Sequence, residues 1–147
     1  MTTRHLTRIG DIEWIAATVV MESGGEPWLG QLAVAWVVVN RMRTRAQSAS
    51  DVALAPWQFS AWNTGSPTRA RLDTADDATW ASAYKAACAA YFDLAPDPTS
   101  GATFYLNVDT VVRVAGHLPK WARDPANPKV PDEQRVVARI GAHTFMR

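Results

Sequence analysis

Residues 22–27, Glu22-Ser23-Gly24-Gly25-Glu26-Pro27, break the chain tightly between two apolar-periodic segments, and reading them as a helix end followed by a helix start makes the fold mainly helical. Before the break, Ile12, Ile15, Ala16, Val19 and Val20 recur at i, i+3, i+4, i+7 and i+8, the spacing of an amphipathic helix, with Asp11 suited to its start. After it, Pro27 takes a favoured first helical position in a segment that runs to about Arg45. The centre of that segment, Leu32-Ala33-Val34-Ala35-Trp36-Val37-Val38-Val39, is apolar all round and reads as a buried central helix. Its length and two alanines outweigh the strand preference of the valines. Glu22 lies roughly 90° from the centre of the first apolar stripe, beside Ile15, and so half-buried. Partial desolvation disfavours a carboxylate anion and raises its pKa, which is the setting of a glycosidase-type proton donor. A solvated residue in a last helical turn is the plain alternative.

Further along, 46–72 is polar and turn-rich, with one short helix at 50–55 and then Pro56-Trp57-Gln58-Phe59-Ser60-Ala61-Trp62, an aromatic loop that lines a cleft or packs as a lid. Thr74 as N-cap, with Asp76 and Asp77 in the first turn, opens a third helix carrying Trp80, Ala83, Tyr84, Ala87, Cys88 and Tyr91 at helical spacing and stopping before Pro96. A turn at 97–101 leads to a short strand at 102–106 that ends at Asn107. The segment 108–115 is ambiguous. The stretch 117–131, with four prolines, reads as an irregular surface insertion. A closing strand at 143–146 has Phe104 and its neighbours as partners. No repeat or second domain shows, so 1–147 reads as one α+β domain, predominantly α-helical, with a small β-hairpin or sheet.

A chain of 147 residues is about one domain long and buries roughly two-thirds of its unfolded surface. With 48% apolar and 20% charged residues it is ordinary for a globular protein. A formal charge of +1 and scattered basic residues give no nucleic-acid footprint. Arg41, Arg43 and Arg45 fall in the last turns of the second helix, where cations suit the dipole. The longest apolar run, 32–39, is too short to cross a bilayer, so no membrane insertion is expected. Residues 1–10 lack the apolar core of a secretory signal. Seven tryptophans are many: indole faces stack on pyranose rings, or fill cores.

Cys88 sits among alanines and packs as a small apolar residue. His5, His117 and His143 are too dispersed for a metal motif, and His-Glu-x-x-His and paired cysteines are missing, so no metal and no cofactor is expected. A Gly-x-Ser-x-Gly nucleophile elbow is missing too. Of the four glutamates, Glu13 shares the polar side of its helix, Glu26 abuts Pro27 as a helix-start residue and Glu133 sits by the Pro-rich insertion. Glu22 is the best-placed acid.

Several motifs then agree in order: Glu22-x-x-Gly25-Glu26-Pro27 with Gly30-Gln31, the run from Ala33 to Asn40-Arg41, Gln58-Phe59-Ser60, Phe104-Tyr105 with Asn107, and Ile140-Gly141-x-His143-x-Phe145. From about Ile12 to Arg147 the chain resembles the SleB-type cell-wall hydrolases, the spore-cortex-lytic enzymes and their phage relatives. Ser23-Gly24 and Ala142 depart from that pattern. The resemblance implies a lysozyme-like single catalytic domain that cleaves the β-1,4 bond between N-acetylmuramic acid and N-acetylglucosamine as a lytic transglycosylase. Glu22 is then general acid and base, and the substrate's 2-acetamido group replaces a second carboxylate. By the same resemblance Gln58, Ser60, Tyr105 and Asn107 orient the sugars, Phe59 anchors the packing, and Gln31 and His143 are further cleft residues. The partner is the peptidoglycan glycan strand and the enzyme a monomer. Without a signal peptide it looks like a phage endolysin, held in the host cytoplasm until a holin admits it to the periplasm and wall; a bacterial enzyme exported otherwise is the other origin. Two alternative functions stay open. One is a hydrolysing muramidase, with Asp51 or Asp109 as second carboxylate; the other is a non-catalytic peptidoglycan-binding protein on the same scaffold.

Overall fold

Two helices carry the core. The computed structural model describes residues 10–55, 59–63 and 65–147, with Ser60 described in its backbone alone. Helix α1 spans Asp11–Ser23 and α2 spans Trp28–Arg45, with Pro27 one position before the latter. The α1 side chains from Trp14 to Met21 are buried all round, wider than the expected stripe. The additional buried positions are Trp14, Ala17, Thr18, Met21 and Ser23; Ala17, Thr18 and Ser23 are small and let neighbours close on the helix outside the stripe. Thr18 stays satisfied there: its hydroxyl donates to the Trp14 carbonyl at 2.8 Å and accepts the Trp62 indole N–H at 2.9 Å. As expected, α2 is buried through its centre, Gly30 to Val39.

Around this pair lie α3 at Ala49–Leu54, two 3-10 turns at Ser60–Trp62 and Pro67–Ala70, α4 at Arg71–Thr74 and α5 at Asp77–Tyr91. The buried face of α5 is Ala83, Ala86, Ala87, Ala89 and Ala90, small side chains that allow close approach to α1 and α2. Its N-cap is Asp76, which accepts from the Thr79 N–H at 2.8 Å. Thr74 ends α4 instead, its hydroxyl bonded back to the Ala70 carbonyl. Asp11 does more than begin α1: its carboxylate accepts from the Ala49 N–H and the Tyr91 hydroxyl, tying α3 and α5 to the start of α1.

The C-terminal third supplies the sheet. Strands β1 (Phe104–Leu106), β4 (Val136–Ile140) and β5 (His143–Met146) form an antiparallel sheet in the order β1-β5-β4, with Tyr105 opposite Phe145. Side chains alternate across it. Tyr105 and Phe145 face the helical core, while Phe104, Leu106 and Met146 face a second small cluster around Leu118 and Ala122. The ambiguous segment is a helix, α6 (Val108–Ala115), capped by Asn107, whose side chain accepts from the Thr110 N–H at 3.0 Å. The stretch expected to be irregular contains a two-stranded ribbon, β2 (Arg123–Asp124) against β3 (Asn127–Pro131). Prolines 128 and 131 are tolerated there because the ribbon is all edge. Among the described residues no helix is long and apolar enough to cross a membrane.

Candidate active site

Where the helical body meets the sheet, a pocket of about 280 Å³ opens between the end of α1 and the start of α6. Glu22 enters it from α1, Tyr105 and Leu106 from β1, Asn107, Thr110 and Val111 from the capped start of α6, and His143 from β5. The strand register sets the last contact: His143 and Phe145 share the face of β5 that meets Tyr105, with ring centroids 5.1 Å and 5.7 Å from the tyrosine. Phe59 lies behind Tyr105 at 6.0 Å.

Among the described walls of this pocket the carboxyl is that of Glu22. Burial raises its pKa; the Tyr105 hydroxyl, the Ala61 N–H and the charges of His143 and Arg71 work in the other direction without cancelling it. The contact with Tyr105 falls short of a full hydrogen bond, since Oε1 of Glu22 and the tyrosine oxygen are both buried without a partner in bonding geometry. Two unpaired polar atoms against an open pocket leave room for a polar ligand. Tyr105 is itself held neutral: burial, then the nearby Glu22 carboxylate, push its pKa well up, so it can only donate or accept a hydrogen bond.

Of the residues expected in the cleft, Tyr105, Asn107 and His143 stand with Glu22 around the pocket. Asn107 commits its carbonyl to the cap of α6, leaving its amide for a ligand. Phe59 is 2% exposed and packs, with the Arg41 guanidinium 4.6 Å from its centroid. Gln31 is 4% exposed and its amide is spent: Nε2 donates to the Glu26 and Gly24 carbonyls and Oε1 accepts from the Ser82 hydroxyl at 2.6 Å. It holds the turn after Glu22 rather than a ligand. Gln58 lies outside the described residues, as do Trp57, His5 and the side chain of Ser60. None of the six described tryptophans lines the pocket. Asp51 is exposed on α3, and Asp109 lines an adjoining pocket of about 290 Å³ that shares His143. Among the described residues no group of three His, Cys, Asp or Glu side chains could hold a metal.

One buried charge was missed. Arg41, read as a helix-end cation, is 2% exposed, donates from Nε to the Thr103 carbonyl and sits over Phe59 and Phe104. Burial lowers its pKa to about 10, with Tyr105 and Glu22 opposing the drop. The signal was in the spacing: Arg41 follows Val37 by four and Val34 by seven, on a buried line of α2. Arg43 and Arg45 are exposed, as expected.

Known proteins resemble the chain in sequence and in fold. A family model described as Cell Wall Hydrolase matches residues 25–146, beginning just past Glu22. Spore cortex-lytic enzymes are similar in sequence: that of Halalkalibacterium halodurans is 32% identical over 139 residues and that of Bacillus cereus 35% over 141. These alignments cover 92% and 93% of this chain but 34% and 44% of those relatives, so the chain spans less than half their length. Among solved structures, the catalytic domain of the germination-specific lytic transglycosylase SleB from Bacillus anthracis superposes with a TM-score of 0.64 at 31% identity, covering 93% of each chain. The catalytic domain of the Bacillus cereus SleB protein gives 0.61 at 28% identity, over 93% of this chain and 89% of that one.

Proposed function

Because the chain belongs to the cell wall hydrolase family, in its SleB-type branch, we propose that it forms the catalytic domain of a peptidoglycan lytic transglycosylase. The observation that carries the reading is the Glu22 carboxyl, kept protonated to higher pH than an ordinary glutamate by burial and facing an open, polar-walled pocket. Glu22 gives its proton to the glycosidic oxygen between N-acetylmuramic acid and N-acetylglucosamine as the C1–O bond breaks, and the 2-acetamido oxygen supports the electron-poor C1. The Glu22 carboxylate then takes the proton of the muramic acid 6-hydroxyl, whose oxygen closes on C1. Glu22 ends protonated, and no water is consumed. The 6-hydroxyl outcompetes water because it is tethered beside C1. Tyr105, the Asn107 amide and His143 surround the acid as hydrogen-bonding groups that orient the sugars.

Glu22→Gln keeps size and polarity but has no proton to give, so lysis of purified sacculi should fall about 100-fold or more with the melting transition retained. Lysis near the wild-type rate would move the active site elsewhere. Hydrolysis is the second reading, and Asp109, beyond His143, is the carboxylate it would use. Asp109→Asn should leave lysis within about threefold of wild type, since loss of a true second catalytic carboxylate costs orders of magnitude. Delivery through a holin belongs to the same proposal: expressing cells should lyse only once their inner membrane is permeabilised, and spontaneous lysis would contradict it.

A further inference from the structure

One carboxylate against the wall of the pocket has no part in the proposed reaction. Glu26, in the turn between α1 and α2, directs Oε1 at Nδ1 of His143, 3.1 Å away, with the two side chains 20% and 11% exposed. The contact is out of line for a hydrogen bond, for Nδ1 of His143 and Oε2 of Glu26 are each buried without a hydrogen-bond partner. A buried carboxylate kept for folding alone is ordinarily satisfied by donors. This one is given space instead. A Cβ at Gly30 would stand 2.5 Å from Oε2, and one at Gly141, where φ is +56°, 3.5 Å from Oε1. The imidazole it faces lines the Glu22 pocket and meets the Tyr105 ring edge-on at 84°. Glu26 does not line that pocket; its contact there is with His143, and its charge also helps to raise the pKa of Tyr105.

We propose that Glu26 and His143 are a positioning pair for the proton-transferring carboxyl: Glu26 holds the imidazole as a cation against the pocket, where it braces Tyr105 and stabilises the Glu22 carboxylate left when the proton departs. The proposal rests on Glu22 being the acid. Other charges face the pair from each side. Glu22 on α1 and Tyr105 on β1 lie inward, with Arg71 on α4 acting on the first and Arg41 on α2 on the second. Asp109 on α6 and Arg139 on β4 lie outward, in the adjoining pocket, with Arg139 turned to Glu133. His143 ranks ahead of Arg71 among the charges that draw the Glu22 pKa down against burial.

The test compares Glu26→Gln, His143→Gln, their double variant and Gly30→Ala with wild type, by melting temperature and by kcat and KM on solubilised glycan strands across pH. Glu26→Gln should lower kcat about tenfold, the lower end of the loss when a carboxylate orienting a functional histidine is removed, with KM little changed. The alkaline limb of its pH profile should move up, because the Glu22 anion has lost a cation that favoured it. The double variant should be no worse than His143→Gln alone, as one residue acts through the other. Gly30→Ala, which displaces the Glu26 carboxyl and leaves both charges, should reproduce the kcat loss. Unchanged kcat and alkaline limb in Glu26→Gln, wild-type kcat in Gly30→Ala, or losses that multiply in the double variant overturn the pair. A fully active Glu22→Gln removes the acid and the pair together; an inactive Glu22→Gln beside an unaffected Glu26→Gln removes the pair alone.

Discussion

The chemistry assigned to Glu22 has a cost that can be measured without substrate. A carboxyl whose pKa is higher in the folded protein than in the unfolded chain binds its proton more tightly when folded. Its contribution is intact below the unfolded value and is lost as pH rises through the raised one. Glu22→Gln cannot ionise, so its melting temperature should pull ahead of wild type as pH rises from the ordinary glutamate value of about 4.3 through the raised one. A gap that stays constant across that range would mean that burial does not shift this carboxyl. The position of Glu22 at the edge of the α1 stripe made its half-burial legible from 3.6-residue periodicity alone. The charges that oppose burial were not legible: His143 and Arg71 come from distant segments, and the contact of Glu26 with His143 spans most of the chain.

Elements place these residues, and two hydrogen-bonding side chains test how. Gln31 fastens the turn 24–27 through the Gly24 and Glu26 carbonyls and joins it to α5 through Ser82. Gln31→Ala should cost about 1–3 kcal/mol of stability, because it leaves buried groups unpaired, and should lower activity by loosening the turn beside Glu22. Loss of activity at full stability would instead give Gln31 a direct role with substrate. Asn107 caps α6 and offers its amide to the pocket. Asn107→Asp keeps the cap, while Asn107→Ala should cost about 1 kcal/mol. If the amide orients a sugar, both should lose activity, and denaturant melts should separate them. The helices α1, α2 and α5 were readable because each carries a local period, and β1 with β5 because short apolar runs ended in a turn residue. Helix α6 was ambiguous since four valines in 108–114 favour strand as readily; its Asn107 cap settles it. Strand β4 went unread because Val136–Ile140 alternates poorly, with a register irregularity between Val136 and Ala138.

At the scale of the molecule, a helical body supplies Glu22 and a three-stranded sheet with α6 supplies the facing wall, so the pocket lies where the two meet. Its described walls offer no metal cluster, and Cys88 is half-buried on α5, lining a different groove with Trp28. Activity should therefore survive excess EDTA and Cys88→Ser; inactivation by chelation, reversed by zinc, would contradict a glycosidic mechanism. The central claim is that Glu22 both gives and retakes one proton, with the sugar's own 6-hydroxyl as nucleophile. Mass analysis of muropeptides released from purified sacculi in oxygen-18 water tests it most directly. The expected products end in 1,6-anhydro-muramic acid, one water lighter than hydrolytic ends, unreactive to borohydride and free of label, and Glu22→Gln should release none above background. Reducing ends carrying oxygen-18 would show that water is the nucleophile and contradict the account.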